Sequence, residues 1–311
     1  YFMSLSKLSL TLLCASCLSL TACSMTKLTD KAYDWQYDTT ESRAKNIGDV
    51  FGLKGVSDAE LPKDAKIDKD SILLNGSINS GLLHWGSHFG TGAAGVGALG
   101  WGFGFALLDS ALRGDPFEMQ DGYFGYVPVS KAKAGDQAGK QFLDQFVTAT
   151  KKAAKELGIT KKFKVVVRDT FIWGEPDRYA GKSIYFVNER LGCTINDKTE
   201  DNCLVEVYVS HPEQQTVITP VIANGKVIPA WKIESRDIDR AALGYDSLTL
   251  YRGDSDQFPY DKYDLYPVIA KYLPQYAYIY SAPAKTKEYT YRMPPMIYEK
   301  NKTLFFVKPQ K

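Results

Sequence analysis

The sequence predicts an α+β fold with a mostly antiparallel sheet and one or two packed helices. Three observations carry that prediction. The stretch Asp136 to Leu157 repeats apolar residues at helical spacing. Strand-like runs crowd the chain from Phe163 onward, and Asn224-Gly225 stands between two apolar arms as in a tight hairpin. Hairpins join antiparallel neighbours, whereas parallel strands need long crossovers. The expected domain spans 122–311 and is preceded by a glycine-rich apolar segment expected to be helical.

The elements follow in chain order. Residues 1–22 are expected to be a signal peptide: Lys7 precedes an apolar run from Leu8 to Leu20, too short for a permanent spanning helix. Tyr1 and Phe2 stand before the expected initiator, Met3. The run ends in Leu20-Thr21-Ala22-Cys23. This resembles the lipobox of bacterial lipoproteins, and the resemblance implies cleavage before Cys23 and acylation of its thiol and new amino group. A rival box at Cys17 has a poor first position. Ser24, rather than aspartate, follows the cysteine, which in Gram-negative lipoproteins implies sorting to the outer membrane.

Cys14 and Cys17 would leave with the signal peptide and Cys23 would take lipid, so Cys193 and Cys203 remain. They bracket a polar loop between strand-like runs, and an oxidising compartment predicts that they pair. In the chain-entropy model such a short closed loop stabilises by about 3 kcal/mol. A zinc pair is the competing reading, but no histidine lies near either cysteine.

Residues 23–70 are mixed and polar, and read as a lipid-anchored tether with a short helix. From Ile72 to Leu108 there is no Asp, Glu, Lys or Arg, within a glycine-rich segment set at 71–114. Gly86, Gly90, Ala94, Ala98, Gly102 and Ala106 recur every fourth position, a groove on which another helix packs closely. In water each glycine costs such a helix about 0.8–1 kcal/mol relative to alanine. In a bilayer the backbone must bond internally, and the helix becomes nearly obligatory. The row resembles the glycine zippers of some outer-membrane lipoproteins, including surface-exclusion lipoproteins of conjugative plasmids. That resemblance covers only the lipobox and this segment. It implies a membrane contact through residues 86–108 and a homo-oligomer or a partner in an envelope complex. Two other readings stay open. Large and small residues alternate from Ala98 to Leu107, as in a transmembrane β-strand, and the segment could also pack in a soluble core.

Within the domain, Lys151, Lys152 and Lys155 complement the dipole at the end of the first helix, and Gly158 stops it. Strands are expected at 163–169, 183–189 and 204–211, followed by the hairpin around Asn224-Gly225. A second helix is expected from Asp264 to Leu273, with Pro267 in its first turn. A strand at 276–282 and a final pair over 294–309 complete the reading.

Functional motifs are sparse. The formal net charge of +2 argues against nucleic acid as a partner. His84 and His88 have ligand spacing, but Trp85 occupies the place of a zincin glutamate and no third ligand is in sight. No nucleophile motif or phosphate-cradling loop occurs. Asp254, Asp256, Asp261 and Asp264 hint at calcium, but Phe258 and Pro259 break the EF-hand pattern. Arg-Gly-Asp triplets begin at Arg113 and Arg252 and read as turns. Tyr276, Tyr278 and Tyr280 alternate along one strand face, as an amphipathic strand or as a glycan platform. No catalytic residue, cofactor or metal is assigned. The reading is an outer-membrane lipoprotein that is a non-enzymatic structural or interaction subunit of an envelope assembly in secretion, conjugation or surface exclusion. The alternative is an envelope enzyme or glycan-binding lipoprotein with its site in the tyrosine- and aspartate-rich C-terminal third. A pocket joining His211 to shifted carboxylates would favour the enzyme.

Overall fold

The computed structural model describes residues 37–53, 56–59, 120–170, 179–196, 202–212, 215–219, 222–233, 247–252, 258–282, 284–285, 292–293 and 295–309. Cys23, the row from Gly86 to Ala106, His84, His88, Asp254 and Asp256 lie outside these residues.

The architecture is α+β, built on antiparallel sheets. In chain order the helices are α1 (Arg43–Val50), α2 (Gly135–Glu156) and α3 (Lys262–Tyr272). The strands are β1 (Gly122–Pro128), β2 (Lys164–Thr170), β3 (Tyr179–Val187), β4 (Cys203–Ser210), β5 (Gln215–Ile218), β6 (Ile228–Ile233), β7 (Leu248–Arg252), β8 (Ala277–Ser281), β9 (Ala284–Lys285), β10 (Arg292–Met293), β11 (Met296–Glu299) and β12 (Lys302–Phe305). One sheet runs β12-β11-β8-β1-β6-β5, a second runs β2-β3-β4-β7, and β9 pairs with β10.

Helix α2 lies between the two large sheets. Its apolar stripe, Phe142, Phe146, Ala149 and Ala153, is buried, and Tyr123 of β1 stacks on Phe142 at 4.2 Å between ring centroids. Toward the second sheet it covers Ile184, Phe186, Val205 and Val207, all fully buried. Residues across a strand pair share a face, so the register Phe124↔Tyr278 puts those two rings on the opposite side of the first sheet from Tyr123.

That opposite side is covered by α1. Phe51, the residue that ends α1, packs against Phe124 and Tyr278 with centroids 5.3 and 5.8 Å apart. Ser42 caps the helix by accepting the Lys45 N–H, and its own N–H and hydroxyl donate to Asp58. Ala59 forms a parallel bridge with Val307. The polar tether expected over 23–70 is therefore corrected between residues 37 and 59. Ile47, Phe51 and Val56 are fully buried there, so this stretch belongs to the core. The polar residues that made it read as a tether close its turns: the Asp38 N–H donates to Asn46 Oδ1, and Asn46 Nδ2 donates to the Asp38 and Ser42 carbonyls.

Two further expectations are refined. Asn224 and Gly225 have φ of 54° and 86°, the left-handed pair that a type I′ turn needs. However, the ladder between β5 and β6 closes at Ile218↔Ile228, so the turn tips a longer loop rather than joining the strands directly. Helix α3 begins at Lys262 because Asp261 and Asp264 form a reciprocal capping box. Pro267 therefore sits in the second turn, where its missing N–H leaves the Tyr263 carbonyl without the usual helical donor.

Candidate functional site

The tyrosine- and aspartate-rich third comes together where α3 meets β8, β11 and the start of β1. Asp261 accepts the N–H groups of Tyr263 and Asp264 at 2.8 and 3.0 Å, and Asp264 reaches back to the Asp261 N–H. These two acids of the suspected calcium cluster are thus engaged at a helix start. Tyr276, Tyr278 and Tyr280 are only 7%, 0% and 0% exposed. Tyr278 packs against Phe51, Tyr280 against Phe306, and the Tyr276 hydroxyl, just before β8, accepts Gln145 Nε2 of α2. They are buried and form no exposed glycan platform.

The polar centre of the region is Asp121. Its Oδ1 accepts the Lys262 ammonium at 2.7 Å and the Ala282 N–H at 2.8 Å, and its Oδ2 accepts the Tyr266 hydroxyl at 3.1 Å. Lys262 also donates to the Ala282 carbonyl at 2.9 Å and lies 5.3 Å from the Tyr263 ring centroid. Both partners of the ion pair are largely shielded from water. Three other hydroxyls are buried nearby in the same layer. Tyr298 lacks a hydrogen-bond partner, while those of Tyr263 and Ser281 approach one another without a well-formed bond. Burial raises the Tyr263 and Tyr298 phenols far above the ordinary tyrosine value, with the Asp121 charge adding to both. Neither phenol gives up a proton near neutral pH. Every described donor to Asp121 comes from α3 or the end of β8, so the cluster braces three elements.

His211, at the end of β4, is the histidine the enzyme reading depended on. Gly135 and Gly139 bring the first turns of α2 directly onto the chain at Ser210–Pro212. A Cβ at Gly135 would lie 1.7 Å from the Pro212 oxygen, and one at Gly139 would lie 2.6 Å from His211 Nδ1. Burial lowers the His211 pKa; Asp136 opposes the shift and Lys140 adds to it. The acid beside the imidazole is Asp136 of the α2 start, and the Asp121 cluster does not reach it. No group of three metal-ligating side chains occurs among the described residues, and no described helix is long and apolar enough to cross a membrane.

Cys193 and Cys203 form the expected disulfide, with Cα atoms 5.2 Å apart, next to the bridge between Asn188 and Cys193. Sequence reasoning missed Asp121 and Lys262. The only local signal is their position, one residue before a strand and at the first residue of a capped helix.

The most conspicuous exposed chemistry lies at the far end of α2. Lys151, Lys152, Lys155, Lys161, Lys162 and Lys164 are all exposed, and Glu156 is the only acid within that stretch. Glu156 accepts Lys271 Nζ at 2.8 and 2.9 Å together with the Tyr272 hydroxyl, which hold its carboxylate below the ordinary range. The Tyr272 ring sits between Lys152 and Lys271, 5.7 and 5.5 Å from the two ammonium groups. No family model, no curated protein and no solved structure matches this chain.

Proposed function

We propose that this chain is a lipid-anchored protein of the outer membrane that works as a non-enzymatic structural or interaction subunit of an envelope assembly, in secretion, conjugation or surface exclusion. Support for the location comes from Leu20-Thr21-Ala22-Cys23 behind its apolar run, and the Cys193–Cys203 disulfide fits an oxidising compartment. The observation that carries the role is the state of the Asp121 cluster. Its ion pair is shielded, both carboxylate oxygens accept donors from within the fold, and its phenols are held in their neutral form. These are properties of a brace. Interaction with a partner or a second copy is then assigned to the glycine row from Gly86 to Ala106.

The test is made on protein extracted from membranes. The mature N-terminus should be a lipid-modified Cys23, and a detergent-stable oligomer or complex should weaken on Gly90→Leu or Ala94→Leu, which fill the groove. An unmodified N-terminus elsewhere sinks the anchor. A species whose size ignores both substitutions sinks the zipper.

A further inference from the structure

The lysine-rich end of α2 has more charge than the helix requires. Lys151, Lys152 and Lys155 already complement the dipole of the last turns. Lys161, Lys162 and Lys164 lie beyond the helix end, on the 3-10 turn Ile159–Lys161 and the start of the edge strand β2. The fold gathers them. Lys161 folds back so that its Cδ lies 3.8 Å from the position of a Cβ on Gly158, and the Lys162 carbonyl accepts Asn188 Nδ2 at 2.6 Å. The one acid in the stretch, Glu156, is occupied by Lys271 and Tyr272. A chain of formal charge +2 therefore concentrates six lysines on one end.

A second observation falls at the same place. Among the described residues the exposed large apolar side chains are Val227 and Tyr272, and Tyr272, 36% exposed, stands at this end of α2 between Lys152 of the group and Lys271. A tyrosine flanked by ammonium groups suits the interface between headgroups and acyl chains, where an amphipathic ring is half wet. A protein partner would ask for an apolar centre within the patch, and one tyrosine does not supply it.

We infer that this end of α2 is a docking surface for anionic lipid headgroups of the membrane that carries the anchor. The inference rests on the lipoprotein reading for its membrane. Docking would lay the domain against the leaflet, with Tyr272 at headgroup level and the lysines on phosphate oxygens.

The experiment uses the chain from Ser24 to Lys311, so that neither acyl chains nor the apolar run Leu8–Leu20 contribute, and a failure of lipidation is read separately, by mass spectrometry of the native N-terminus. Sedimentation compares vesicles of phosphatidylglycerol and phosphatidylethanolamine with vesicles of phosphatidylcholine. The anionic vesicles should retain the protein more strongly, and high salt should remove the difference. One triple variant carries Lys151→Gln, Lys152→Gln and Lys155→Gln, and a second carries Lys161→Gln, Lys162→Gln and Lys164→Gln. At about fivefold per lysine near a charged surface, each should bind anionic vesicles at least about tenfold more weakly. A third triple, Lys131→Gln, Lys133→Gln and Lys140→Gln, removes the same charge near the start of α2 and should change binding little. Equal retention by both vesicle types overturns the inference. So does an equal loss in all three triples, or binding by both patch triples at the parent level.

Discussion

Arg43 and Glu299 stand 256 positions apart, and the guanidinium grips the carboxylate twice: Nε donates to Oε2 at 2.9 Å and Nη2 to Oε1 at 2.6 Å. The pair fastens α1 to β11, and hydrogen bonding to Glu299 raises the already high Arg43 pKa. Its two halves are unequal. The Glu299 side chain is 10% exposed and that of Arg43 28%.

The inequality sets the first prediction. Arg43→Ala strands a nearly buried carboxylate and should cost about 2–3 kcal/mol, whereas Glu299→Ala leaves an arginine that reaches water and should cost about 1 kcal/mol. Urea unfolding of the two variants at neutral pH checks the order. Equal losses would mean that the pair contributes mainly through packing.

A second prediction concerns the boundary of the folded body. A chain beginning at Gln120, which keeps Asp121, would lose Ile47, Phe51 and Val56 and uncover Phe124 and Tyr278 on the α1 side of the first sheet. It should aggregate or unfold without a sharp transition. A peptide covering Tyr37 to Ala59, added in trans, should bind it and restore cooperativity. Cooperative unfolding of the short chain without the peptide would show that the N-terminal segment is dispensable.

Legibility in the sequence followed the range of the interaction. Helix α2 was readable because Phe142, Phe146, Ala149 and Ala153 follow one another at helical spacing, and the disulfide because its cysteines stand ten residues apart. The docking of residues 37–59 was not. Its few apolar side chains are scattered among Asp38, Thr40, Ser42 and Asn46, whose polarity serves local turns and caps. The Asp121 cluster was hidden for the opposite reason. Its partners Lys262, Tyr266 and Ala282 are 141 to 161 residues away, and no local motif announces them. Lys151, Lys152 and Lys155 were legible as dipole partners, but their grouping with Lys161 and Tyr272 is a product of the fold.

The third prediction separates two tyrosines of that cluster. The Tyr298 hydroxyl is buried with no hydrogen-bond partner, so Tyr298→Phe should be neutral or stabilise by up to about 1 kcal/mol. The Tyr266 hydroxyl donates to the Asp121 carboxylate, and Tyr266→Phe should cost about 1.5–3 kcal/mol. Thermal unfolding of both variants decides the matter. A large loss at Tyr298 would reveal a bound water that its hydroxyl serves.

The last prediction is a pH dependence centred on His211. Burial holds its folded-state pKa below the ordinary 6.5, with Lys140 acting in the same direction and Asp136 against it. Above that value the imidazole is neutral in both states, and it contributes no pH dependence. As the pH falls below it, the unfolded chain takes up a proton that the folded chain resists, so stability declines until the folded pKa is passed. Asp58 behaves in the reverse sense, because burial raises its carboxyl from 3.8 and stability is gained on protonation, so the contribution of His211 is read as the difference between parent and variant. Unfolding free energies measured between about pH 7.5 and pH 5 should therefore decrease for the parent chain and decrease less for His211→Asn. The Gly139 contact makes the site sensitive to size, so asparagine, smaller than the imidazole, is the suitable replacement. Parallel profiles for parent and variant would remove His211 as the source. A gain in stability toward pH 5 that His211→Asn abolishes would mean that Asp136 outweighs burial and that the imidazole is charged in the folded protein.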